Sequence, residues 1–201
     1  MRVRQILVGP MKNFVYLLVD EESREAIVID SGWETGPVTK AVSEEKARVK
    51  YVVATHGHFD HVGTIKEMAE VLGADVVVHE ESELEANLRV RNGDRLTLGT
   101  NSVTVMHTPG HTKDSVCLYD GVEVFTGDTL FIGNCGRTDL PGGSAEQLFH
   151  SLKEILLKLP PETVIYPGHD YGEVPSRRMG EEAELNPTLR AGSLSDFLGE
   201  E

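Results

Sequence analysis

The chain has 201 residues, 39% of them hydrophobic, with a formal net charge of −14 and an isoelectric point near 5.0. That suffices for one domain with a sizeable core over residues 1–201 and leaves two independent domains cramped. The acidic balance argues against nucleic acid or an anionic membrane surface as main partner, and no apolar run reaches the roughly 18 to 20 residues of a membrane span.

In chain order, Met1 to Pro10 holds only short interrupted apolar runs, unlike a signal peptide. Val3 to Val8, Phe14 to Val19 and Ala26 to Ile29 are β-rich runs closed by Gly9-Pro10 and Ser31-Gly32, and they predict antiparallel strands of a first sheet. Tyr51 to Ala54 predicts a short buried strand running into Thr55-His56. Ile65, Met68, Ala69 and Leu72 share a helical face, with Gly73 placed to cap it, and Val76 to Val78 follows as a strand.

Further strands are predicted at Ser102 to Met106, Ser115 to Leu118 and Val122 to Phe125. Leu148, Leu152, Ile155, Leu156 and Leu159 line one face of a second helix. Ser144 and Gln147 suggest a capping box at its start, Pro160-Pro161 a stop, and Val164 to Tyr166 a strand beyond. The acidic tail offers Leu189, Leu194, Phe197 and Leu198 for one more helix or turn. Strands followed by strand–helix–strand thus occur twice. That rhythm predicts an α/β fold of two packed sheets flanked by helices, an αββα four-layer sandwich. The two cysteines, Cys117 and Cys135, form no CxxC pair, so a disulfide framework is not expected and a reducing cytoplasm is the default setting.

The strongest chemical signal is Thr55-His56-Gly57-His58-Phe59-Asp60-His61, three histidines and an aspartate at the end of an apolar strand. These are ligand types for zinc, iron and manganese. Residues two apart share a side of an extended segment, so His56 and His58 converge on one metal. Asp60 and His61 turn elsewhere and suit a second metal or a proton acceptor. Three more donors, His111, Asp128 and His169, each follow a predicted strand at a glycine turn: Pro109-Gly110-His111, Thr126-Gly127-Asp128 and Pro167-Gly168-His169. His79, His107 and His150 join no motif and are read as structural.

The pattern His56-x-His58-x-Asp60-His61, then His111, Asp128 and His169, resembles the metallo-β-lactamase superfamily over nearly the whole chain. The resemblance implies the αββα fold, His56, His58 and His111 around one metal, Asp60, His61 and His169 around another, and Asp128 between them. Asp30 matches the family's strand-end aspartate.

Within the superfamily, Cys135-Gly136-Arg137-Thr138-Asp139 resembles the persulfide dioxygenases. So does the short interval from His169 to Asn186-Pro187, where glyoxalase II (hydroxyacylglutathione hydrolase) inserts long helices. That branch implies a small-molecule, thiol-linked substrate such as a glutathione-type persulfide. It implies one Fe(2+) held by His56, His111 and Asp128, and dimers are common in it. The alternative is a glyoxalase II-like thioester hydrolase with zinc or another dinuclear metal site and Asp60 as the catalytic group that holds or deprotonates water. A non-catalytic metal-binding module is the reading from a different class. Arg137 is the expected grip for substrate carboxylates, and Tyr171 a hydrogen-bond donor to substrate. Arg177 and Arg178 are read as solvated surface, and Cys135 as a buried residue.

Overall fold

The computed structural model describes residues 1–199. The opening apolar runs become β1 (Arg2–Val8), β2 (Asn13–Val19) and β3 (Glu25–Ile29), paired antiparallel in that order. The chain crosses over through α1 (Gly36–Glu45) into β4 (Arg48–Val53). The sequence reading lacked α1. Its start is marked by Pro37 at the first turn, and Val38, Ala41, Val42 and Glu45 turn inward at helical spacing, but an alanine and a glutamate among these four leave the apolar signal faint. Buried Glu45 is matched by Arg2, Arg4 and Arg24 at 3.2, 2.8 and 3.3 Å.

After β4 come α2 (Phe59–Val62), α3 (Ile65–Leu72), β5 (Asp75–His79) and β6 (Leu88–Val90). Gly73 closes α3 with φ 62°, as its position predicts. Strands β4, β5 and β6 extend the sheet in parallel from β3.

The second sheet begins with β7 (Arg95–Leu98), β8 (Asn101–His107), β9 (Val116–Tyr119) and β10 (Glu123–Gly127), all antiparallel. A two-stranded ribbon, β11 (Leu130–Phe131) with β12 (Asn134–Cys135), follows. Then α4 (Ala145–His150) leads to β13 (Val164–Pro167), parallel to β10, and β14 (Arg177–Arg178) closes the edge. Helix α5 (Met179–Leu185) follows β14, and α6 (Pro187–Arg190) and α7 (Leu194–Leu198) occupy the tail, where one helix or turn was expected.

The helix predicted over Leu148 to Leu159 is not uniform. From Ser144, whose hydroxyl accepts the Gln147 N–H at 3.3 Å, α4 runs into a wide π turn at Ser151–Ile155 and a 3-10 turn at Leu156–Lys158. Leu148, Leu152 and Leu156 stay fully buried, whereas Ile155 and Leu159 rotate partly out. Ser151 is also buried, and its hydroxyl donates to the Pro109 carbonyl at 2.7 Å, tying this helix to the loop that carries His111.

The four layers are separated by three apolar cores. Alternation along β2 sends Val15, Leu17 and Val19 to a core under α1 and α3, and Phe14, Tyr16 and Leu18 to the core between the sheets. Along β9 and β10, Val116, Leu118 and Phe125 enter the inter-sheet core, while Cys117 and Val124 pack under α4 with Leu148, Leu152 and Leu156. Among the described residues no helix is long and apolar enough to cross a membrane.

Glu123, partly buried at the start of β10, offers a pH test. Burial first, and Asp120 second, push its carboxyl up to about 7. The folded chain therefore holds this proton more tightly than the unfolded chain does. The stability it contributes is present at low pH and lost as pH rises from about 4.5 to about 7. E123Q is expected to raise the unfolding free energy at pH 8 by about 1 kcal/mol, a value discounted for partial solvation, with no gain at pH 4.5. Urea unfolding at the two pH values measures it.

Candidate metal centre

The strand ends converge at one rim of the sandwich. Asp30 follows β3, His56 follows β4, Asp128 follows β10 and His169 follows β13. His58 sits at the N-cap of α2, Asp60 and His61 lie inside that helix, and His111 is carried by the loop after β8. The two sheets are stitched together at this rim. Phe14 N–H donates to Gly168 O at 2.8 Å, Asp170 N–H to Lys12 O at 2.9 Å, and the buried Tyr16 hydroxyl to Pro167 O.

All seven donors named from the sequence are brought together. His58 Nδ1 lies 3.1 Å from His56 Nε2 and 2.9 Å from His111 Nε2. His61 Nε2 lies 3.1 Å from His169 Nε2 and 3.2 Å from Asp128 Oδ1. Asp128 Oδ2 is 3.4 Å from His169 Nε2 and 3.6 Å from His111 Nε2. Asp60 Oδ2 is 3.4 Å from both His61 Nε2 and His169 Nε2. Three overlapping sets, His56/His58/His111, His56/His61/Asp128 and Asp60/His61/His169, each place their ligand atoms within 4.8 Å of one another.

The electrostatics suit a cation. Burial holds His56 and His58 below the usual imidazole range, so they keep free lone pairs. Burial works against the charged forms of Asp128 and Asp60, yet the neighbouring imidazoles keep both carboxyls well below their usual range. Those carboxylates in turn outweigh burial and raise His61, and raise His169 to about 9. Metal ligation requires deprotonated donors, so an entering cation takes the place of these shared protons. The fit has an independent mark: Asp128 Oδ1 is buried without a hydrogen bond, because the nearby His61 nitrogen is poorly directed toward it.

Three of the five rings are oriented from behind, as metal-binding imidazoles require. His169 Nδ1 donates to Met11 O at 2.9 Å, His111 Nδ1 to Arg137 O at 2.7 Å, and His61 Nδ1 to Asp30 Oδ2 at 2.8 Å. Asp30 holds φ 60°, a left-handed backbone uncommon for a residue with a side chain. Its carboxylate also accepts the Thr55 N–H at 2.7 Å and hydroxyl at 2.9 Å, which fixes the chain entering His56. Sequence reasoning missed Asn13 and Trp33. Trp33 Nε1–H donates to Asn13 Oδ1 at 2.8 Å, and Asn13 Nδ2–H donates to Asp60 Oδ2 at 2.8 Å. Neither residue lies in a motif, so only the fold reveals them.

A cavity of about 590 Å³ opens over the donors, lined beyond them by Met11, Phe59, Phe131, Ile132, Leu140 and Tyr171, and by Asn134, Cys135 and Arg137. Tyr171 stacks on His169 with ring centroids 4.5 Å apart. Arg137 reaches the cavity but is exposed, and it grips Asp139 with two contacts of 2.6 Å. Cys135 is part-buried in the wall. The unassigned histidines stand apart: His79 stacks on His107 at 3.9 Å, and His150 is exposed.

Arg177 corrects its surface reading. Its side chain is 15% exposed and pairs at 2.7 Å with Glu182, which is fully buried. Arg178 is exposed, as expected. Glu182 Oε2 also accepts the Gly133 N–H at 2.9 Å and Asn186 Nδ2–H at 2.9 Å, and Asn186 donates to Phe131 O and Asn134 O. This cluster clamps the β11–β12 ribbon, and hence the cavity wall, to the tail. E182A strands those donors and is expected to cost about 3 kcal/mol, the low end for a broken buried pair because Glu173 lies 3.6 Å from Arg177. A urea titration checks it.

A family model described as "Metallo-beta-lactamase superfamily" matches residues 8–169. The chain is 38% identical over 200 residues to the mitochondrial persulfide dioxygenase ETHE1 of Homo sapiens, covering 98% of this chain and 78% of that one. It is 33% identical over 175 residues to a hydroxyacylglutathione hydrolase of Tolumonas auensis, covering 83% and 66%. The crystal structure of ETHE1 from Myxococcus xanthus superposes with a TM-score of 0.93 at 36% identity, covering 99% of this chain and 89% of that one. The sandwich, its strand-end donors and these matches agree: the chain belongs to the metallo-beta-lactamase superfamily of enzymes.

Proposed function

We propose that the chain, acting as one unit over its length, is an oxygen-dependent persulfide dioxygenase that takes its persulfide on a small thiol. What carries this reading is the match to a persulfide dioxygenase over 98% of the chain. It includes the Cys135-Gly136-Arg137-Thr138-Asp139 segment over the cavity and the short clamped tail. The balanced reaction is persulfide plus O₂ plus water giving free thiol, sulfite and two protons, with the outer sulfur giving up four electrons to oxygen.

In this reading His56, His111 and Asp128 hold a ferrous iron. An ion held by two imidazoles and one carboxylate would supply redox contact between sulfur and oxygen. His58, Asp60, His61 and His169 set the polarity and orientation around it. Asp60, kept ionised by the imidazoles beside it and held by Asn13, places a fixed negative charge next to His61 and His169. Arg137 and Tyr171 face the carrier at the mouth. Phe131 and Ile132 form an apolar wall beside the reacting sulfur.

A second reading has one specific support. The Asp60/His61/His169 set provides a further group of donors beside Asp128, which suits two metals and thioester hydrolysis of the hydroxyacylglutathione type. Metal analysis of anaerobically purified protein separates the two. One iron per chain, with O₂ uptake on adding a glutathione or alkyl persulfide, is the expected result. Two zinc ions per chain, with thioester cleavage and no O₂ uptake, would replace the dioxygenase with the hydrolase.

A further inference from the structure

The metal donors form the cavity floor, and the rest of the cavity has a different chemistry. Its wall is built mainly from Met11, Phe59, Phe131, Ile132, Leu140 and Tyr171, with Asn134, Cys135 and Arg137 beside them. Phe59 is 69% exposed, Tyr171 55% and Met11 44%. These rings are also held in place. Phe59 packs edge-on to Trp33 at 5.5 Å, and Tyr171 lies against both His169 at 4.5 Å and Phe131 at 5.6 Å. Large, fixed, water-exposed apolar groups gathered at the mouth of a concave site mark a surface built to be covered by a ligand.

The charges around that wall do not favour a polyanionic carrier. Among the described residues lining the cavity, Arg137 is the one guanidinium or ammonium group, and both of its contacting nitrogens face Asp139 at 2.6 Å. The floor's two carboxylates, Asp60 and Asp128, are matched by the imidazoles beside them, so the repulsion comes from the whole chain, which carries −14. A carrier bearing several carboxylates must compete with Asp139 for its one cation and approach against the field of the protein.

We propose that this cavity selects the thiol carrier by apolar area: its preferred substrates bear the reacting sulfur on an alkyl or aromatic arm that lies against Phe59, Phe131 and Tyr171. The identity of the reaction rests on the functional reading above. The arm is argued from the wall alone and holds for persulfide or thioester chemistry alike.

Straight-chain alkanethiols of three to eight carbons test it by isothermal titration calorimetry on the metal-loaded full chain, because the thiol anchors at the metal and the chain reports on the wall. Burial of each added methylene is expected to tighten binding about three- to fourfold until the cavity is filled. Glutathione is expected to bind no more tightly than propanethiol. Phe59→Ser should flatten the series, while Val71→Ser, an equally exposed apolar position on α3 outside the cavity, should leave its slope unchanged. A flat series in the parent chain, glutathione binding tighter than octanethiol, or an undiminished slope in F59S overturns the inference. Oxygen uptake decides the other question separately. A steep series with thioester cleavage keeps the apolar arm and removes the dioxygenase, and oxygen uptake with a flat series does the reverse.

Discussion

Asp128→Asn is expected to abolish metal retention and lower turnover about a thousandfold or more, with the fold intact. The carboxylate touches the three imidazoles of His61, His169 and His111 at 3.2, 3.4 and 3.6 Å, so it reaches rings from all three donor sets. An amide keeps its shape but removes the negative charge and turns an N–H₂ toward nitrogens that must present lone pairs. Elemental analysis gives the metal content, turnover the activity, and far-UV circular dichroism the fold. Stoichiometric metal with turnover within tenfold of the parent would show that Asp128 is not a ligand.

The second large effect is on stability. Gly110 stands at φ 139°, and a Cβ there would lie 2.2 Å from the Leu148 backbone nitrogen and 2.3 Å from its Cα. The obstruction is main chain in α4 and has no rotamer to escape into. G110A should cost about 4 kcal/mol or more, or leave the chain unfolded, because α4 must move away from the core it covers. Gly121 is the control. Its φ is 101° but nothing lies within 4 Å of a new Cβ, so G121A should carry only the backbone cost of about 1 kcal/mol. Denaturant midpoints of the two variants separate clash from conformational strain. Similar losses in both would remove packing as the cause.

The same glycine shows why so much of the site was legible. His111, Asp128 and His169 each follow a glycine because the chain must turn where other groups already stand. A Cβ at Gly127 would meet Thr55 Oγ1 at 2.6 Å, and one at Gly168 would meet Asp128 Oδ1 at 2.3 Å. That steric demand is written locally, as is the apolar period of α3 and the alternation of β2. Other features are not written locally. β6 and β7 are short, contain Arg89 and Arg95 and are bordered by Arg91 and Asp94, which masks any strand pattern. The π turn after α4 leaves the leucine spacing almost unchanged while rotating Ile155 and Leu159 off the core. Asn13, Trp33 and Glu182 act on groups 20 or more positions away (Glu182 on Gly133 N–H), and such partners exist only once the sheets are packed.

The tethers behind the imidazoles differ in kind, and the difference bears on how this site tolerates divergence. His169 and His111 lean on peptide oxygens of residues 11 and 137, which every amino acid supplies. Those same positions present their side chains to the cavity. Specificity can therefore drift at 11 and 137 with the rings still aimed, a separation of recognition from chemistry that lets one scaffold acquire new clients. Position 30 has no such freedom, since His61 depends on the carboxylate itself.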